Sequence, residues 1–177
     1  VPSSTSGPLV VTACGDNTPG AVPQGGPEVL EGTMSMTVPA HNVFAFENGV
    51  KFSSNFDNGN VAKVEQSHKS FEYRVWTAPD NLGTPHQSKH CAWFYFCVTG
   101  LPRGCVLRIQ IINASNHGGL YKYDMRPVYK SQSTNHKWVR IKSSVRFTRE
   151  DTPLLTFEHG IETADEQLYF AFTYPYR

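Results

Sequence analysis

His159 and Glu162 form an HxxE pair, the spacing at which an imidazole and a carboxylate can share one zinc ion. With seven histidines in 177 residues, so short a pattern arises readily by chance. No histidine follows it to complete a three-ligand set. The pair also sits in what reads as an acidic turn, EHGIETADE, rather than after a buried strand, so no metal site is assigned to it. His86 and His90 flank a polar loop ahead of Cys91 and read as solvated. Cys14, Cys91, Cys97 and Cys105 show neither a CxxC nor a Cys/His finger spacing. Two of them lie in an apolar run where a thiol behaves as a small hydrophobe, which predicts free thiols ahead of a disulfide or a zinc site. Ser-His-Asp sets, a GxSxG elbow, a phosphate loop and GxGxxG are all absent from the sequence, so it offers no catalytic, cofactor-binding or metal residue.

Charge is informative locally rather than in total. Sixteen bases against fifteen acids give a net charge of +1, which provides no field for nucleic acid or an anionic membrane. No apolar run approaches the ~20 residues of a membrane span. From Lys122 to Arg149 there are eight bases and one acid, Asp124; residues 150–166 then carry six acids and no base. Mutual neutralisation across neighbouring strands is the plain expectation. The functional alternative is a basic face, with Lys137, Arg140 and Lys142 as candidate contacts to an acidic tail. Asn113-Ala114-Ser115 fits a glycosylation sequon, but it ends a core strand, and a structural Asn is expected there.

The elements that must position these residues are strands. Residues 1–40 are dense in Gly and Pro, with no apolar periodicity, and read as a flexible leader. From 41 to 177 short extended segments recur, among them SFEYRVWTA, CVLRIQIIN, KWVRI, PLLTF and LYFAFTYP. Asn-Gly, Pro-Asp and Gly-Gly turns separate them. In CVLRIQII, Leu107, Ile109 and Ile111 alternate with Val106, Arg108 and Gln110. In SFEYRVW, Phe71, Tyr73 and Val75 alternate with Glu72 and Arg74. In CAWFYFCVT, Trp93, Tyr95 and Cys97 point one way and Phe94, Phe96 and Val98 the other, so both faces are apolar and both expect cover. No helical stripe runs for twelve residues. The expectation is one all-β domain, an antiparallel β-sandwich of about nine strands with no substantial helix, a closed barrel being the alternative. The chain opens on Val1 rather than Met, which predicts a cut or processed piece of a longer protein.

Several stretches together resemble the N-terminal domain that precedes the catalytic domain in the cytosolic carboxypeptidase family. They are Phe52-Ser-Ser-Asn-Phe-Asp-Asn-Gly-Asn60, WFYFCVTGLPRG at 93–104, IIN at 111–113, LYKYDMRPVYKS at 120–131, KWVRI at 137–141 and YFAFTYPY at 169–176. They run in the family's order from Phe52 to Tyr176. Asp124 stands where Gly is usual and Phe172 where Tyr is common, and residues 1–40 match nothing in the pattern. The resemblance implies a β-sandwich, cytoplasmic residence and a zinc carboxypeptidase parent that removes glutamates from tubulin and other protein tails. The family's zinc ligands, substrate-binding Arg and catalytic Glu belong to a domain that begins after YPY, so none has a counterpart here, and His159/Glu162 falls at the wrong place.

On that resemblance the chain is expected to be non-catalytic and to need no cofactor, with zinc confined to the parent's catalytic domain. It would dock against that domain through Arg126, Pro127 and Tyr129 and through Tyr174 and Tyr176. Glutamate-rich tails such as tubulin's are the second expected partner. The alternatives are a stand-alone module for acidic peptides and a secreted lectin-like or adhesion sandwich.

Overall fold

Period-two alternation generates two packed sheets in the computed structural model, which describes residues 43–115, 118–133, 137–149 and 151–176. The leader 1–40 and Cys14 lie outside the described residues. The first sheet contains β1 (Val43–Ala45), β2 (Lys51–Ser53), β5 (Tyr95–Thr99), β11 (Leu168–Ala171), β7 (Val128–Ser131) and β8 (Val139–Arg140), in that order. The second contains β3 (Lys63–Gln66), β4 (Glu72–Trp76), β6 (Val106–Ile111), β10 (Leu154–Gly160) and β9 (Arg146–Thr148). A single turn of helix, α1 (Gly118–Lys122), packs near β9. The sandwich expected from sequence is present, with eleven strands among the described residues where about nine were expected.

Strand direction departs from expectation at one pairing. β4 and β6 run parallel, with Tyr73 opposite Ile109 and Val75 opposite Ile111, while the other described strand pairs are antiparallel. The chain leaves β4, crosses to the first sheet as β5 and returns as β6, and such a crossover delivers the returning strand in the same direction. Alternation of residue type fixes the face of a strand but not its direction.

The core lies between the sheets. Phe52, Phe94, Phe96, Val98, Leu168 and Phe170 face Tyr73, Val75, Leu107, Ile109, Ile111, Leu155 and Phe157, all of them buried. Ring contacts join the two sides: Phe94 stacks on Phe157 at 6.2 Å and Phe52 meets Tyr73 at 4.8 Å. On the outward side of the second sheet, buried Glu72 and half-buried Glu158 converge on Arg108. The turn into the loop after β5 depends on Gly100, at φ +77°, where a Cβ would lie 2.2 Å from the Gly49 carbonyl oxygen.

The strand CAWFYFCVT starts later than its residue types suggest. β5 begins at Tyr95, because Asn60 clamps the approach: its side-chain amide donates to the carbonyls of Trp93 (2.8 Å) and Ala78 (3.0 Å) and accepts from the Ala78 N–H. Phe94 still reaches the core ahead of the strand. Of the two apolar faces, Phe94, Phe96 and Val98 close the sandwich. Cys97 is buried on the other side, and Trp93 and Tyr95 are half-buried there.

Candidate functional site

The HxxE pair does not form a metal site. His159 belongs to β10 and not to the acidic turn expected from sequence, because the apolar side chains Leu155 and Phe157 carry the strand through Gly160. Its ring lies 4.2 Å from that of Tyr129 and 5.5 Å from that of Phe170. Burial pushes the imidazole below its usual pKa, against the opposing pull of Glu166 and Glu162, while Lys142 adds to the depression. Glu162 is exposed, one residue beyond buried Ile161. Among the described residues no group of three or more His, Cys, Asp or Glu is placed to hold a metal ion. The zinc ion that the resemblance implies does not fit these residues. Tyr129, Lys142, His159, Glu162 and Cys105 instead line a cleft of about 300 Å³.

The remaining chemistry-bearing residues have structural employment. His86 and His90 are exposed on the loop before Cys91. Cys91, Cys97 and Cys105 are not disulfide-bonded, and burial raises the pKa of Cys97 and Cys105. The Asn113 side chain accepts from the Thr77 N–H at 2.9 Å and donates to the Thr77 carbonyl at 2.8 Å. The sequon amide therefore bridges two strand ends, the structural role expected of it.

Two surfaces remain. One is a rim where β7 and β8 meet the last described residues. Arg126 donates through Nε and Nη2 to Asp124 and through Nη1 to the Lys142 carbonyl at 2.8 Å. This ties the DMRPVY segment to the turn after β8. Pro127 is buried, and Tyr129 is held against His159. Arg140 donates to the Arg126 carbonyl and places its guanidinium 5.7 Å from the Tyr174 ring, a cation–π contact. Tyr174 is 49% exposed and Tyr176 91% exposed. The five residues that sequence marks for docking thus divide, with Arg126, Pro127 and Tyr129 engaged within the domain and Tyr174 and Tyr176 presented outward.

The second surface is the outer face of the six-stranded sheet. The register places Cys97 opposite Tyr169, and Tyr169 opposite Lys130, so Tyr95, Tyr169 and Lys130 share a face. Tyr95 contacts Phe56 at 4.7 Å, Trp138 at 5.6 Å, Tyr169 at 6.2 Å and Trp93 at 6.3 Å. The Lys130 ammonium lies 5.4 Å from the Tyr169 ring and 5.7 Å from Trp138. All five aromatic side chains are half-buried. This group was not singled out as a site from sequence. Its signal was the second apolar face of CAWFYFCVT, which requires cover that residues distant in sequence partly provide.

The candidate acidic-tail contacts Lys137, Arg140 and Lys142 are all exposed, and Lys142 also lines the cleft beside His159. Neutralisation of the basic stretch by the acids that follow it is also incomplete as an account, since Glu158 pairs with Arg108 of β6 and Arg126 with Asp124.

Comparison with known proteins places this geometry. Residues 52–173 match the family described as the cytosolic carboxypeptidase N-terminal domain. The chain is 32% identical over 143 residues to cytosolic carboxypeptidase-like protein 5 of Danio rerio, covering 71% of this chain and 16% of that protein. With the Homo sapiens protein of the same name it is 31% identical over 153 residues, 72% of this chain and 17% of the relative. It is 30% identical to cytosolic carboxypeptidase 1 of Mus musculus over 72% of this chain and 12% of that one. Its fold is similar to part of a metallo-carboxypeptidase from Pseudomonas aeruginosa, at a TM-score of 0.53 and 23% identity, over 71% of this chain and 30% of that one. The match therefore spans about a sixth or less of the length of these relatives. The chain belongs to the cytosolic carboxypeptidase family, as its N-terminal β-sandwich domain.

Proposed function

We propose that this sandwich is the non-catalytic N-terminal domain of a cytoplasmic zinc carboxypeptidase that removes glutamates from protein tails, and that it supports the peptidase domain by docking against it. The observation that carries the reading is the match of residues 52–173 to that family's N-terminal domain. The rim supplies the docking geometry: Arg126 and Pro127 stiffen the DMRPVY segment, and Tyr174 and Tyr176 project from its edge as large, partly apolar side chains of the kind that anchor interfaces. Zinc and the hydrolytic residues belong, on this reading, to the peptidase domain. The chain of residues 1–177 is then expected to hydrolyse no polyglutamate peptide. Turnover accompanied by stoichiometric zinc in elemental analysis would overturn the assignment.

Recruitment of glutamate-rich tails, tubulin's among them, is a second role, favoured by the exposure of Lys137, Arg140 and Lys142. Charge reversal at Lys137, Arg140 and Lys142 should weaken binding of an acidic tail peptide, and added salt should weaken the wild type likewise. Unchanged affinity removes this role without touching the docking role.

A further inference from the structure

The outer face of the five-stranded sheet holds a trough lined by polar groups that the fold itself does not use. Strand register sets its shape: Thr156 of β10 lies between Gln110 of β6 and Arg146 of β9, and two residues along β10 Glu158 lies opposite Arg108. A short threonine between longer neighbours leaves a groove of about 480 Å³, which Ser144, Thr148 and Leu154 also line. That volume falls in the range of small-molecule sites, roughly 300–1,000 Å³. Among the described residues the hydroxyls of Ser144, Thr148 and Thr156 and the guanidinium of Arg146 make no hydrogen bond or ion pair within the protein. The neighbouring Ser143 hydroxyl, by contrast, donates to the Glu158 carbonyl. Glu158 is the one acid in the lining, and Arg108 pairs with it through Nη2. The uncompensated charge of the groove is therefore that of Arg146, and a second groove that adjoins at Ser144 and Arg146 adds Lys122 beyond it.

We propose that this trough binds a small phosphate ester, with Arg146 as the anchoring cation and the hydroxyls of Thr156, Thr148 and Ser144 as further donors. The disposition of the groups favours phosphate over carboxylate. A carboxylate presents two coplanar oxygens, which a single guanidinium fork satisfies. A phosphate ester presents three terminal oxygens in different directions and takes donors from several elements at once. Here they come from β9, β10 and the loop before β9, with the Gln110 amide of β6 beside them. Charge points the same way, since an unpaired guanidinium with a lysine beyond it complements a dianion. Leu154 supplies an apolar wall for the carbon skeleton of the ester. The site lies on the opposite sheet from the rim, so it does not rest on the docking or tail-recruiting roles.

The test is titration of isotopically labelled residues 1–177 with glycerol 3-phosphate at constant ionic strength, followed by NMR. Saturable shifts confined to residues 108–110, 144–148 and 154–158 are the expected result. Arg146→Gln should raise the Kd about tenfold or more, through loss of a charge-assisted contact. Arg146→Lys keeps the charge but not the fork and should also weaken binding, as should Thr156→Val, which keeps the shape and removes the hydroxyl. Arg74→Gln removes an exposed cation from β4, outside the groove, and should leave the Kd unchanged. Equal weakening by Arg74→Gln would overturn the proposal, because it marks general charge attraction. Shifts that fail to saturate, or that glutarate reproduces at the same concentrations, would overturn it as well. So would tighter binding of a phosphoserine peptide than of glycerol 3-phosphate, which would put a protein chain in the groove.

Discussion

His159 illustrates how a residue type that suggests chemistry acquires a structural role. Its ring is packed between Tyr129 and Phe170, and burial keeps its pKa below the ordinary value of about 6.5. Between the depressed folded pKa and the unfolded one, the unfolded chain binds a proton that the folded chain does not. This residue's contribution to stability is therefore complete above about pH 6.5 and declines as the pH falls towards the folded pKa. His159→Phe, which preserves the ring packing, should flatten the loss of stability between neutral and acid pH measured by urea unfolding. An unchanged pH slope would show that the imidazole is not responsible. Gly100 is constrained by backbone rather than chemistry: with φ at +77° and the Gly49 carbonyl against its Cα, Gly100→Ala should cost about 1–3 kcal/mol in the same measurement. Asn60 was legible only as the last residue of the stretch 52–60, and Asn113 only as a structural residue at a strand end. Their partners Trp93 and Thr77 lie 33 and 36 positions away, and no local pattern encodes a pairing at that distance.

At the scale of elements, apolar alternation located the faces of β4 and β6 correctly. Tyr73, Val75, Leu107, Ile109 and Ile111 are fully buried, with Arg74 and Val106 outside. Pairing order was not legible, because the neighbours of β5 are β2 and β11, strands far from it in sequence and chosen by tertiary packing. The inner face of β5 contributes most to the core. Phe96 is fully buried among Phe52, Phe94 and Phe170, and Phe96→Ala should destabilise the fold by about 3–5 kcal/mol in denaturant unfolding. Its neighbour Tyr95 faces the half-buried outer cluster, so Tyr95→Ala should cost less. Equal losses would mean that the outer face is as closed as the core. The two apolar sides of CAWFYFCVT therefore differ in kind, one sealed by the opposite sheet and the other only partly covered by Phe56, Trp138 and Tyr169.

For the whole molecule, the family was legible because its motifs fall on residues that the fold needs. WFYFCV lines both sides of β5, MRPVY forms the rim and enters β7, and YFAF is β11 with Phe172. The contribution of each candidate docking residue was less legible, because Arg126 and Tyr129 serve the domain's own packing, and a motif does not distinguish an internal contact from an external one. The chain matches only 12–17% of the length of its relatives, and docking concerns what the rest of such a protein would place on the rim. Hydrogen–deuterium exchange, comparing residues 1–177 with the full-length parent, tests this most directly. Docking predicts that residues 124–129 and 174–176 exchange more slowly in the parent than in the isolated domain, while the buried strands β5 and β6 are unchanged. Equal exchange along the rim in the two proteins would contradict it.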